Sequence, residues 1–136
     1  MNRINWVHII DNTGTPFFNL ETQEQESAGP TSTLFSRLIF SLQSIAKDLD
    51  VNEVKSVEMS NNRFFLCKEQ KSAYLFIVKT NRDAEARVIT PALQEIINKY
   101  HERFLGWNGF NIEDKIKRLD LLSNDVKQIT SDISDG

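Results

Sequence analysis

Two hydrophobic periods take turns along the chain. Ile4-Asn5-Trp6-Val7-His8-Ile9-Ile10 is rich in strand formers, and Asp11-Asn12-Thr13-Gly14 behind it is a dense turn signal. Phe17, Phe18 and Leu20 mark a second apolar run, so residues 4–20 read as an antiparallel hairpin. Pro16 has no N–H to give to a ladder and belongs at the start of that second strand or on its free side. Residues 21–30 carry no large apolar side chain and hold Gly29 and Pro30, which reads as a mobile surface loop.

The period then lengthens. Leu34, Phe35, Leu38, Ile39, Leu42, Ile45, Ala46 and Leu49 fall within an arc of roughly 140° at ~100° per residue. This predicts a helix over 31–49 with Thr31, Ser32 or Thr33 as its cap. Phe40 breaks the pattern and projects to the opposite side, among Ser36, Arg37, Gln43, Ser44 and Lys47. Residues 53–60, 63–68 and 72–80 read as three more strands, joined at Asn61-Asn62 and at Glu69-Gln70-Lys71. Ala73-Tyr74-Leu75-Phe76-Ile77-Val78 is apolar at nearly every position, so this strand is expected to be central with both faces covered. Helices on both sides of the sheet follow from that.

A second helix is predicted over 83–105, with Val88, Ile89, Ala92, Leu93, Ile96, Ile97, Tyr100 and Phe104 on one face. Pro91 implies a kink, or a fresh start with Thr90 as cap, and Gly106 ends the helix. A third helix over 111–133 carries the stripe Ile112, Ile116, Leu119, Leu122, Val126, Ile129 and Ile133. The division expected is a domain over 1–110 and a C-terminal amphipathic helix over 111–136 packed on the same domain. Five strands and three helices put the chain in the α+β class, with helices expected on both faces of the sheet.

Charge and composition narrow the function. With 16 basic and 19 acidic residues the 136-residue chain has a net charge of −3, which argues against nucleic-acid binding. Its one cysteine, Cys67, cannot form an internal disulfide, which fits a reducing compartment. No run approaches the ~20 apolar residues of a membrane span, and residues 1–7 lack the apolar core of a signal peptide. The expectation is a cytoplasmic protein with at most peripheral membrane association.

Candidate chemistry is sparse. His8 and His101 have no third ligand spaced to complete a metal site with them, and both fit structural or exposed roles. The glycines at 14, 29, 106, 109 and 136 are too scattered to cradle a phosphate. Cys67 sits in Phe64-Phe65-Leu66-Cys67, where it acts as a small hydrophobe. Glu113-Asp114 suits a helix start, and Glu21, Glu24 and Glu26 suit a solvated loop. No catalytic, metal or cofactor residue is assigned, and no enzyme is expected.

Surfaces remain. Phe40 with Arg37, Gln43, Ser44 and Lys47 forms a candidate partner-binding face, although single exposed apolar residues are common. The nearly heptad third helix either packs back on its domain or offers Val126, Ile129 and Ile133 as an interface to a partner or a second copy.

The order strand, strand, helix, three strands, helix, helix resembles the longin domain, and more loosely the related roadblock family. The resemblance lies in the opening hairpin from Trp6 to Leu20, the helix from Leu34 to Leu49, and the meander from Val54 to Val78. Val54-Lys55-Ser56-Val57-Glu58-Met59 followed by Arg63-Phe64-Phe65-Leu66 also looks like longin-like proteins of archaeal genomes rich in small GTPases. The resemblance implies a five-stranded antiparallel sheet, with the first helix on one face and the later helices on the other. It further implies a non-enzymatic adaptor for a small Ras-type GTPase or another longin or roadblock subunit, in trafficking-like or GTPase-regulating machinery. A longin SNARE continues into a long heptad segment and a membrane anchor; residues 1–136 carry neither, so a fusion role is not expected. A roadblock domain usually opens with a helix, whereas Ile4 already begins a strand. The rival expectations are a self-associating structural dimer without a GTPase, and a small-molecule sensor.

Overall fold

The computed structural model describes residues 2–22, 32–59 and 61–135. Most of the expected surface loop (23–30), Thr31, Ser60 and the side chains of Ser32, Thr33, Leu34 and Phe35, the cap candidates among them, lie outside the described residues. Along the chain run β1 (Ile4–Ile10), β2 (Pro16–Glu21), α1 (Ser32–Ala46), β3 (Val54–Met59), β4 (Asn62–Lys68), β5 (Leu75–Asn81), α2 (Ala86–Phe104) and α3 (Ile112–Asp135). The strands make one antiparallel sheet in the order β2-β1-β5-β4-β3.

Strand alternation sorts the side chains into two cores. Trp6, Ile10, Phe64, Leu66, Leu75 and Ile77 meet Ile39, Leu42 and Ala46 of α1. On the other face Val7, Ile9, Phe65, Cys67, Phe76 and Val78 lie in one cluster with Ile89, Leu93, Ile96, Leu122 and Val126 of α2 and α3. β5 is therefore covered on both faces, as its unbroken apolar run predicts. The doubly covered antiparallel sheet is the α+β architecture expected from the sequence.

The β1–β2 turn closes around Asp11. Its Oδ1 accepts from the Thr13 and Thr15 N–H groups at 2.9 Å each and from Thr13 Oγ1 at 2.6 Å. Gly14 supplies the left-handed backbone that the turn needs, at φ 88°. Pro16 stands at the start of β2, opposite Ile10, where the β1–β2 register shifts.

Local details depart from the pattern. β5 begins at Leu75 rather than at residue 72, because Ala73 takes φ 60° and the Ala73 N–H bonds back to the Glu69 carbonyl. α1 ends at Ala46, yet the turn behind it still delivers Leu49 to the core. α2 runs unbroken through Pro91 from Ala86, so there is no fresh start at Thr90. Asn111 caps α3, its Oδ1 accepting from the Asp114 N–H at 3.0 Å.

Candidate functional site

The outer face of α1 is assembled by the helix repeat alone. With Ile39, Leu42 and Ala46 pointing into the sheet, residues at 36, 37, 40, 44 and 47 must point out. Phe40 is 70 % exposed, and Ser36, Arg37, Ser44 and Lys47 around it are exposed too. Ser44 Oγ donates to the Phe40 carbonyl at 3.1 Å, so that hydroxyl is turned back on the helix. Gln43 behaves differently from its neighbours. It is half-buried, and its Nε2 stands 3.1 Å from where a Cβ on Gly14 would be. A shallow cavity of about 150 Å³ beside it is lined by Asp11, Gln43, Lys47 and Lys68, among others. Burial pushes the Asp11 carboxyl up, but the Thr13 and Thr15 hydrogen bonds outweigh it and hold the group below its ordinary range. The five candidate residues thus share one helix flank, four on open surface and Gln43 lodged against the first turn.

The C-terminal stripe is placed otherwise than an interface requires. Val126 and Ile129 are buried in the α2–α3 core and Ile133 is half-buried against it, so all three pack on their own domain. At the start of the same helix the reverse holds: Ile112 and Ile116 face solvent. The stripe averages one apolar residue per 3.5 positions and drifts about 20° per heptad around a 3.6-residue helix. Over three heptads this turns the first two isoleucines out of the seam that the later ones occupy.

Sequence reading passed over the Glu69 cluster. Glu69 is only 1 % exposed, although it stands in a polar turn. Its carboxylate accepts from the Lys71 N–H, the Ser72 N–H and Ser72 Oγ, each at 2.7 Å, and pairs with His101 Nε2 at 3.0 Å. Burial would raise its pKa, but these bonds prevail and bring it down to about 2. The cluster borders a cavity of about 300 Å³ with Tyr100, Phe104 and Leu105. Serine, histidine and a carboxylate meet here, yet Ser72 donates to Glu69 and not to His101, so the hydroxyl has no base. The group pins the β4–β5 turn to α2.

The remaining sequence candidates are placed in the same way. Burial lowers His8 to about 4, which keeps the ring neutral. Burial, with the Glu69 charge behind it, pushes the Cys67 thiol up to about 11, the opposite of an activated nucleophile. Among the described residues no group of three His, Cys, Asp or Glu side chains is placed to hold a metal ion, and no helix is long and apolar enough to cross a membrane.

No protein family and no curated protein matches the sequence. Among solved structures, a chain of the mammalian SRP receptor superposes with a TM-score of 0.58 at 6 % identity, over 99 % of this chain and 98 % of that one. The fold is longin-like. MglB in a tetrameric arrangement aligns more loosely, with a TM-score of 0.41 at 10 % identity over 96 % of this chain and 79 % of that one.

Proposed function

We propose that this chain is a non-enzymatic adaptor that docks a small Ras-type GTPase, or another longin or roadblock subunit, through the outer face of α1. The observation that carries the reading is Phe40, an aromatic ring held on open surface by a helix whose opposite side packs Ile39, Leu42 and Ala46 into the core. A rigid ring ringed by polar groups is the kind of anchor on which protein interfaces concentrate their binding energy. Arg37 and Lys47 add positive charge at its margin, which favours a partner with an acidic rim. The longin-like fold supports the reading. So does the likeness to a chain of a receptor along almost the whole of both chains.

The test is capture of the tagged chain's partners from lysate of its source organism, with GDP and with a non-hydrolysable GTP analogue, identified by mass spectrometry. A nucleotide-sensitive GTPase is expected in the eluate, and its preference would separate effector from exchange scaffold. Phe40→Ala should reduce its capture by roughly tenfold or more while the melting temperature moves by less than about 2 °C. Undiminished capture by that variant, or a large fall in its melting temperature, would overturn the docking face.

A further inference from the structure

A second surface, remote in sequence from Phe40, is larger and more apolar. Leu105 is 80 % exposed, Phe110 86 %, Ile112 73 % and Ile116 54 %. All four lie between the end of α2 and the second turn of α3. The segment that bears them is held firmly. Arg118 Nη1 donates to the Arg103 and Leu105 carbonyls at 3.0 and 2.8 Å, and its Nε pairs with Asp114 at 2.8 Å. Arg103 grips Asp125 with two bonds at 2.7 and 3.0 Å, the Asn108 side chain accepts from the Phe110 N–H, and Asn111 caps the helix. The connector is thus a built feature that presents apolar side chains in fixed positions.

We infer that the face formed by Phe110 and by Ile112 and Ile116 at the start of α3 is a homodimer interface, in which two copies of this chain pair antiparallel about a two-fold axis. Two features favour a second copy as the occupant. Phe110, Ile112 and Ile116 present on the order of 400 Å² of apolar surface, within the range of the largest patches that monomers expose. That is about half of the roughly 800 Å² per partner that a stable dimer covers. The flanking charge is also self-complementary. Ile112 and Ile116 stand one turn apart on one face, and Glu113 and Lys117 form the exposed row beside them. A two-fold that sets Ile112 against Ile116 brings this row opposite itself in reverse, so each Glu113 meets the Lys117 of the other copy. Neither residue has an ion pair among the described residues, so both charges are available. Lys115, on the other side of the face, is turned inward over the Phe17 and Trp107 rings at 4.9 and 5.9 Å and stays out of the contact.

The experiment is sedimentation velocity of the full chain over a concentration series. A concentration-dependent dimer is expected, and Ile112→Ser with Ile116→Ser should weaken it by about a hundredfold or more. Both side chains are exposed, and circular dichroism would check that the variant stays folded. Glu113→Lys alone and Lys117→Glu alone should each weaken self-association by about tenfold. An equimolar mixture of those two variants should regain the original affinity as a heterodimer, because the charges then match again across the axis. A monomer at every concentration would overturn the proposal, and so would a dimer indifferent to the isoleucines or a mixture no tighter than its components. Flotation of a monomeric chain with phosphatidylserine vesicles, lost in the Ile112→Ser/Ile116→Ser variant, would give the face to lipid and overturn it equally. Phe40→Ala should leave the dimer unchanged, so failure of the α1 docking face and failure of this one are separable.

Discussion

Glu69 shows how one side chain can tie distant parts of the chain together at a measurable cost in acid. Its carboxyl titrates near 2 in the folded protein against an ordinary 4.5, so the folded state prefers it ionised. The stabilisation is complete above about pH 4.5 and is lost as pH falls toward 2. Glu69→Gln should cost roughly 2 kcal/mol at neutral pH, because an amide cannot accept the same bonds. Urea titrations should show the gap between variant and parent narrowing only below about pH 4.5. His8, held near 4 rather than 6.5 by burial, adds an acid loss between those values that both proteins share. Cys67 gives a second check at this scale. With its thiol near 11, alkylation at mildly basic pH should be slow in the native protein and fast in urea. A thiol modified at the same rate in both states would contradict the burial. The sequence showed Cys67 as a small hydrophobe in an apolar strand, and that much was legible. Glu69 was not, because its burial and its bond to His101 arise only when α2 packs against the turn that holds Glu69 and Ser72.

Among the elements, α3 divides into two halves with opposite roles. Leu122→Ala should cost about 3 kcal/mol, since Leu122 is fully buried between α2 and the sheet. Ile112→Ala should change monomer stability by less than about 0.5 kcal/mol, as an exposed position does. Equal losses in the two variants, read from denaturant melts in dilute solution, would refute this division. The Arg103–Asp125 pair staples α2 to α3, and Arg103 holds the Asp125 carboxyl below its ordinary range. A double-mutant cycle on the pair should return a favourable coupling that shrinks with added salt, because Arg103 remains partly exposed. A heptad count on one helix cannot tell these halves apart. The stripe is regular, but its slow rotation relative to the helix decides where α2 stops covering it.

For the molecule as a whole, stability should be graded outward from β1 and β5. These strands have neighbours on both edges and helices over both faces, whereas β2 and β3 are the outermost strands of the sheet among the described residues. Amide exchange of Val7, Ile9, Phe76 and Val78 should require global unfolding, with the outer edge of β3 exchanging first. Faster exchange in β5 than in β3 would mean that the doubly covered centre is not the stable nucleus of the fold. The sequence by itself determined the order and type of the elements, the central place of β5 and the outward position of Phe40. Each of these depends on spacing within about twenty residues, where backbone geometry turns periodicity into a face. Tertiary structure decided the burial of Glu69, the lodging of Gln43 against Gly14, the packing of Val126 and Ile129 into the domain and the exposure of Ile112 and Ile116. Those depend on which distant element arrives to cover a face, and a local pattern records that a face is apolar without recording what will meet it.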